Sequence, residues 1–458
     1  MRLANLRFTL ALVAGLGFFS ACKKDIQEQP AEVTSPANVP LAAADPRLKD
    51  SALLYARDLY LWHSQIPATF NAQAYDDANK VLEAIRAYSI EPGFTAPVDK
   101  WSFAYKQADW DNVSSGITED FGLNIFFRSS DDLRVKLVEK ASPAGKAGIQ
   151  RGWRITKVNG NSDLTTSNTD FLVKNVFQSS RTTFTFQKPD GTTTDITLNG
   201  ATYQEHPVII DSVYTAGGKK VGYFALNSFL GDTTEIYSNF QRMFNRFSAE
   251  NVQDVIVDLR YNGGGYVSVS EKLANYLVKP SANGSVMMTQ KYNDKYSNYN
   301  VTTRIKKLGS LNINRVFFIV STNTASASEL LINNLKPYLD VKVLGPSNTH
   351  GKPVGFFPVP VGDWYVFPVS FRTVNKNNEG SYFNGITLDS KVADGLDKNW
   401  GDVNEACLAS ALKFINGGSY RVSTSQSDNY RIDPVVDRSN AVFEEPSFKG
   451  AIATKRSF

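Results

Sequence analysis

The spacing of apolar residues changes character several times along the chain, and each change marks a boundary. A continuous apolar run, "FTLALVAGLGFF" at 8–19, is followed by a stretch at 22–45 rich in Pro, Ala and polar residues, which reads as a tether. From 46 to 116 the spacing is helical. Ala78, Val81, Leu82, Ile85 and Tyr88 share one face, and Asp76-Asp77 suit a helix start. Residues 117–200 switch to short β-rich runs ("FGLNIFF", "LRVKLVE", "WRITKVNG", "TTFTFQ", "TDITL") broken by turns such as "KPDG", with one helix near "DFLVKNVF". Residues 201–418 alternate strand and helix: "VGYFAL", a helical stripe of Ile236, Phe240, Met243, Phe244 and Phe247, then "DVIVDLR", "YVSVSEKLANYLV", "VFFIV", "SELLINNL" and "VKVLG". Helices between buried strands predict a parallel-rich sheet with right-handed crossovers. Asp232 and Glu235 have capping-box spacing, and Pro337 is expected to end the helix begun near Glu329. Residues 419–458 are polar and are expected to be poorly ordered. The predicted fold is multidomain α+β: a small helical domain, a β module and an α/β domain.

Composition narrows the functional classes. At 458 residues, 42% hydrophobic and 21% charged, the chain is ordinary globular protein with a net charge of only +4. The densest basic cluster is "RIKK" at Arg304–Lys307, which argues against a nucleic-acid partner. Two arginines before the apolar run, and small residues before Cys22 (Phe19-Ser20-Ala21-Cys22), resemble a bacterial lipoprotein signal over residues 1–21. Cys22 is then the lipidated first residue, and the protein sits in the bacterial cell envelope, held to the membrane by lipid alone. An ordinary secretory signal or a short anchor is the alternative. Cys407, in "NEACLASALKFI", suits a buried helix face, so no intrachain disulfide is expected. Three scattered histidines and one spare cysteine make no metal site, and no cofactor is implied.

Three segments carry candidate chemistry. In "FFIVSTNTASASELL" a buried strand ends in small and hydroxyl residues, Thr324 to Ser328, just before a helix. Such a turn exposes a nucleophile beside free helix amides, although Ser326 or Ser328 could equally serve as a helix cap. In "DLRYNGGGYV" three glycines, Gly263–Gly265, follow another strand and can turn backbone amides toward a ligand. The Lys-Ser/Thr ending of a phosphate loop is absent. In "PSNTHGKPVGFF" Lys352 precedes Val354, Phe356 and Phe357. Desolvation there can strip an amine of its charge and let it act as a base.

Together these segments resemble the carboxy-terminal processing, or tail-specific, serine peptidases, which share a "DLRxNGGG" segment, a "SASASE"-like turn and a "GK" lysine; "YFNGITLDSKV" at Tyr382–Val392 is similar to the segment that follows. The resemblance implies a ClpP/crotonase-like catalytic domain with Ser326 as nucleophile and Lys352 as general base. The amides of Ala327 and of Gly264 or Gly265 would form the oxyanion hole. The β module is similar to a PDZ domain, in which Phe121-Gly122-Leu123 would hold a substrate C-terminus. The implied function is endoproteolysis of envelope proteins or unstructured C-terminal segments, with polypeptides as partners; a catalytically inactive peptide-binding scaffold is the alternative. Two departures stand out. Phe356 occupies a position where many members place a lysine-orienting glutamine, and His350 lies two residues before Lys352, where it could tune the lysine or replace it as base.

Overall fold

The computed structural model describes residues 46–420, 434–444 and 448–454. The signal, Cys22 and the tether lie outside the described residues. The centre is a six-stranded sheet in the order Ser390–Lys391, Asp340–Gly345, Arg315–Ile319, Val252–Asp258, Lys219–Leu226, Val208–Ala216. Its strands run parallel except Val208–Ala216, which forms an antiparallel hairpin with Lys219–Leu226. Strands such as "VIVD" and "VFFI" are apolar on both faces because both faces are covered. Helices Thr233–Ala249, Val267–Leu277 and Ala327–Leu335 cover one face, and Ala406–Gly417 covers the other with Cys407, Leu408 and Ala411.

Local chemistry sets the helix ends. Asp232 caps the amides of Thr234 and Glu235, and Ile236, Phe240, Met243, Phe244 and Phe247 are buried on one face. Asp77 caps the Ala78–Ile85 helix through the Lys80 amide. The helix after the Thr324–Ser328 turn ends at Leu335, two residues before Pro337.

Residues 123–199 form a five-stranded antiparallel sheet in which Leu123–Ser129 is an edge strand. Two expectations need correction. Residues 46–116 do not close a helical domain of their own. Their strand Phe103–Lys106 pairs with Trp364–Phe367, and Leu59, Trp62, Val81 and Trp101 share one core with Val354, Phe356 and Phe367. The stretch supplies most of that core, and the strands around 354–367 close it. The polar C-terminal stretch is also structured where it is described: Pro434–Glu444 is a helix and Gly450–Ile452 a strand. Residues 421–433 lie outside the described residues.

Candidate active site

The serine turn at Thr324–Ser328 and the glycine turn follow adjacent parallel strands, so both emerge at the carboxyl edge of the sheet. The hydroxyls of the first turn explain its composition. Thr324 Oγ1 donates to Leu259 O (2.7 Å), Ser328 Oγ to Asn262 O (3.0 Å), and Ser321 Oγ to Arg260 O. The Ala325 amide adds a bond to Asn262 O (3.0 Å). These groups staple the two turns together.

Ser326 is used differently. Its Oγ points toward the lysine loop, 3.4 Å from Val354 O, and its backbone is held at φ 57° and ψ −105°. A non-glycine residue in this region costs on the order of 1–3 kcal/mol, and such strain collects where geometry serves function. The strand-to-helix turn thus presents one serine in a strained conformation at the first turn of a helix. The Ala327 amide opens that helix and belongs to the donors that have no intrahelical partner.

Lys352 is buried, with 1% of its surface exposed. Its Nζ lies 3.8 Å from the Phe356 ring centroid and 5.3 Å from that of Trp101. Burial drives the lysine pKa well below the ordinary value, against weaker opposing attraction from Asp99 and Glu329. Phe356 therefore supplies an apolar face that desolvates the amine. The amine donates to Lys449 O at 2.7 Å. Ser326 Oγ and Lys352 Nζ share no hydrogen bond in this arrangement.

A buried amine leaves a thermodynamic signature. The unfolded chain binds this proton up to about pH 10.4, whereas the folded chain releases it at a much lower pH. Stability therefore rises with pH between those two values, by up to about 1.4 kcal/mol per pH unit. Lys352→Met is expected to remove this slope. Urea unfolding of both proteins at several pH values measures it, and parallel curves would show a solvated, charged lysine instead.

Glu329 was not singled out by sequence beyond its place in the "TASASE" segment, yet it holds the site together. Its Oε2 accepts from the amides of Ser326 (2.8 Å) and Lys352 (2.8 Å), and its Oε1 from the Gly351 amide (2.7 Å) and Thr349 Oγ1 (2.6 Å). Burial pushes its pKa up, and these four bonds oppose that. With all four neighbours donating, we assign the ionised form. Glu329→Gln replaces one carboxylate oxygen by an NH2 donor, which then faces two groups that themselves donate. The expected loss is about 2–4 kcal/mol of stability, with slower acylation, because charged hydrogen bonds are worth roughly 1.5–3 kcal/mol and an unsatisfied buried group adds to the cost. Thermal unfolding combined with a labelling rate measures both.

His350 has both ring nitrogens occupied. Trp101 Nε1 donates to its Nε2 (3.0 Å), so the proton is assigned to Nδ1, which donates to Thr322 O (3.2 Å). Burial, with Lys449 nearby, lowers its pKa to about 4, so the ring is neutral at physiological pH. This corrects its candidacy as the base: it has no bond to Ser326 and no free acceptor. His63 pairs with Asp294 and His206 with Glu235, away from this cluster.

Of the oxyanion candidates, Gly264 has its amide tied within its own turn to Asn262 Oδ1 (2.9 Å), Gly265 lies in the strand that pairs with Gly450–Ile452, and Ala327 opens the helix. The glycines are required by crowding. A Cβ on Gly264 (φ 106°) would stand 3.0 Å from Ala327 N, and one on Gly263 would stand 2.0 Å from Phe448 O. The Phe121-Gly122-Leu123 loop is also engaged: the Gly122 amide donates to Asp120 Oδ1 at 2.5 Å, so the chain's own carboxylate meets it.

Below the glycine turn lies a buried charge network. Arg260 bonds Asp258 (2.7 Å), Asp394 (2.7 Å) and Glu405 (2.7 Å), and Arg151 of the β module reaches the same Asp394 (2.6 Å). Among the described residues, no group of histidines, cysteines and carboxylates is placed to hold a metal ion.

Comparison with known proteins covers the segments that build this site. Residues 220–392 match the family described as Peptidase family S41, and this span contains Gly263–Gly265, Ser326 and Lys352. The chain is 27% identical over 292 residues to a "Probable CtpA-like serine protease" of Staphylococcus saprophyticus, covering 63% of this chain and 56% of that protein. It is 28% identical over 246 residues to a protein of the same description from Staphylococcus aureus, covering 53% and 47% respectively. The chain thus spans about half the length of the curated relatives it matches. A solved structure of a Bacteroides fragilis protein assigned to the S41 proteases superposes with a TM-score of 0.66 at 22% identity, covering 81% of this chain and 97% of that one, which establishes the shared fold. Over residues 220–392 the chain is similar to peptidase family S41.

Proposed function

We propose that the protein is a serine endopeptidase in which Ser326 and Lys352 form a dyad that hydrolyses peptide bonds. The observation that carries this reading is an amine buried against Phe356, where desolvation lowers its pKa, on a loop that Glu329 ties to the strained serine turn. In the reaction, Lys352 Nζ turns from Lys449 O to Ser326 Oγ and takes its proton as the oxygen attacks the substrate carbonyl. The developing oxyanion accepts from the amides of Ala327 and Gly265. The C–N bond then breaks, and the lysine ammonium passes its proton to the leaving amine. Water attacks the acyl-enzyme, Lys352 takes a proton from it, and Ser326 is restored.

The β module is read as PDZ-like, binding extended C-terminal segments along the edge strand Leu123–Ser129 near Phe121-Gly122-Leu123. Polypeptides of the bacterial cell envelope are the proposed substrates, with the enzyme held at the membrane through a lipid on Cys22. A fluorophosphonate probe tests the enzymatic reading. Labelling of the folded protein that is lost in Ser326→Ala supports it. Absence of labelling, with a known Ser-Lys peptidase labelled in parallel, favours a peptide-binding scaffold instead.

A further inference from the structure

Both peptide sites described above are already filled by this chain's own C-terminal segment. The helix Pro434–Glu444 lies on the open edge of Leu123–Ser129. There the Phe127 amide donates to Asn440 Oδ1 (2.8 Å) and Asn440 Nδ2 donates to Phe127 O (3.0 Å). One side-chain amide thus satisfies a backbone donor and acceptor of the edge, as an added strand would. Phe443 stacks on Phe127 with ring centroids 5.7 Å apart, and Glu444 pairs with the buried Lys136 at 2.5 Å.

Farther along, Gly450–Ile452 adds as a parallel strand to Gly264–Tyr266, with the Gly450 amide on Gly263 O (2.9 Å). On its other side the Phe356 amide donates to Ala451 O (3.1 Å) and the Ala453 amide to Phe356 O (3.1 Å). The strand therefore runs between the glycine turn and the lysine loop. In a parallel ladder with this register, the Gly450 carbonyl faces the Gly265 amide. That carbonyl oxygen lies 2.3 Å from where a Cβ on Gly264 would stand, a point itself 3.0 Å from Ala327 N. The preceding carbonyl, Lys449 O, holds the amine of Lys352. An extended segment thus sits with successive carbonyls on the Lys352 amine and facing the Gly265 amide.

We propose that the C-terminal segment is an intramolecular peptide ligand: its helix anchors on the β module, and its strand occupies the catalytic cleft in the place of a substrate. As to what displaces the segment, this rests on the peptidase reading. It accounts for the missing Ser326–Lys352 hydrogen bond, because the amine is held by the occupying strand. It also specifies how substrate binds: extended, parallel to Gly264–Tyr266, with small residues where Gly450 and Ala451 now lie. A Cβ at Gly450 would come within 2.2 Å of Phe448 and 2.8 Å of Phe356.

Gly450→Val in the full chain is therefore expected to expel the strand. A fluorescent peptide of sequence FKGAIAT, residues 448–454, is expected to bind this variant about tenfold or more tightly than the unaltered protein, because a self-occupied site weakens apparent affinity by the fraction that is open. Ser326 labelling is expected to accelerate by a similar factor, and added peptide reverses the gain. Ile452→Asp provides a second route to the same state. Equal peptide binding by unaltered and folded variant proteins overturns the proposal. So does loss of cooperative unfolding in both variants, which assigns the strand to the core. Tighter peptide binding with no labelling in any variant upholds the occupied cleft and removes the peptidase reading.

Discussion

Ser326→Ala and Lys352→Ala are each expected to lower the acylation rate by about 10⁴-fold or more, because catalytic groups that act as a unit lose nearly everything when one is removed. The two losses arise differently. The serine variant lacks the atom that forms the acyl bond. The lysine variant keeps the strained turn, the Ala327 amide and the Glu329 ties, but has nothing to accept the hydroxyl proton. Intact-mass detection of the acyl-enzyme separates these cases, since the lysine variant should still acylate slowly with an activated reagent that demands little of the base. His350→Ala is expected to leave the rate within about tenfold, because its ring bonds Trp101 and Thr322 and takes no proton from Ser326. Loss of acylation in the histidine variant alone would reverse the assignment.

The second large effect is on stability. Arg260→Met is expected to cost about 3–5 kcal/mol, since removing one partner strands buried charges without compensation. Asp258, Asp394 and Glu405 all bond this guanidinium, which is 1% exposed. Burial pushes the Asp394 pKa up, but Arg260 and Arg151 more than offset that and hold it below the usual carboxylate value. Losing Arg260 removes the larger of these two attractions. The damage would reach the site, because Arg260 and Leu259 supply carbonyls to the hydroxyl staples of the nucleophile turn. Urea unfolding measures the loss, and a cost below about 1 kcal/mol would mean that the network is solvated and weak.

How much of this was legible in the sequence depends on how local each feature is. The strand–turn–helix at Phe317–Leu331 and the three glycines declare themselves because strand pattern, small residues and helix signal are contiguous. Lys352, one lysine among many, gains meaning only in combination with those two segments. What escaped was contact between distant segments. Trp101, whose indole binds His350 and faces Lys352, lies 249 positions from that histidine. The C-terminal segment was missed for a different reason. Its strand has three residues, and its helix buries Val436 and Phe443 while using polar Asn440 as its docking contact. No hydrophobic period survives in so short and mixed a pattern, so composition suggested disorder. In the sequence Glu329 only marks where a helix begins. Only the return of the chain at residues 349–352 shows that it binds two loops at once.

The central claim is that Lys352 works as a neutral amine, and the pH dependence of Ser326 labelling tests it most directly. The rate is expected to rise with pH along a single titration whose midpoint lies well below the ordinary lysine value of about 10.4. It should persist in His350→Ala and vanish in Lys352→Ala. A Lys352→Ala protein that labels at the rate and with the pH dependence of the unaltered chain would contradict the account.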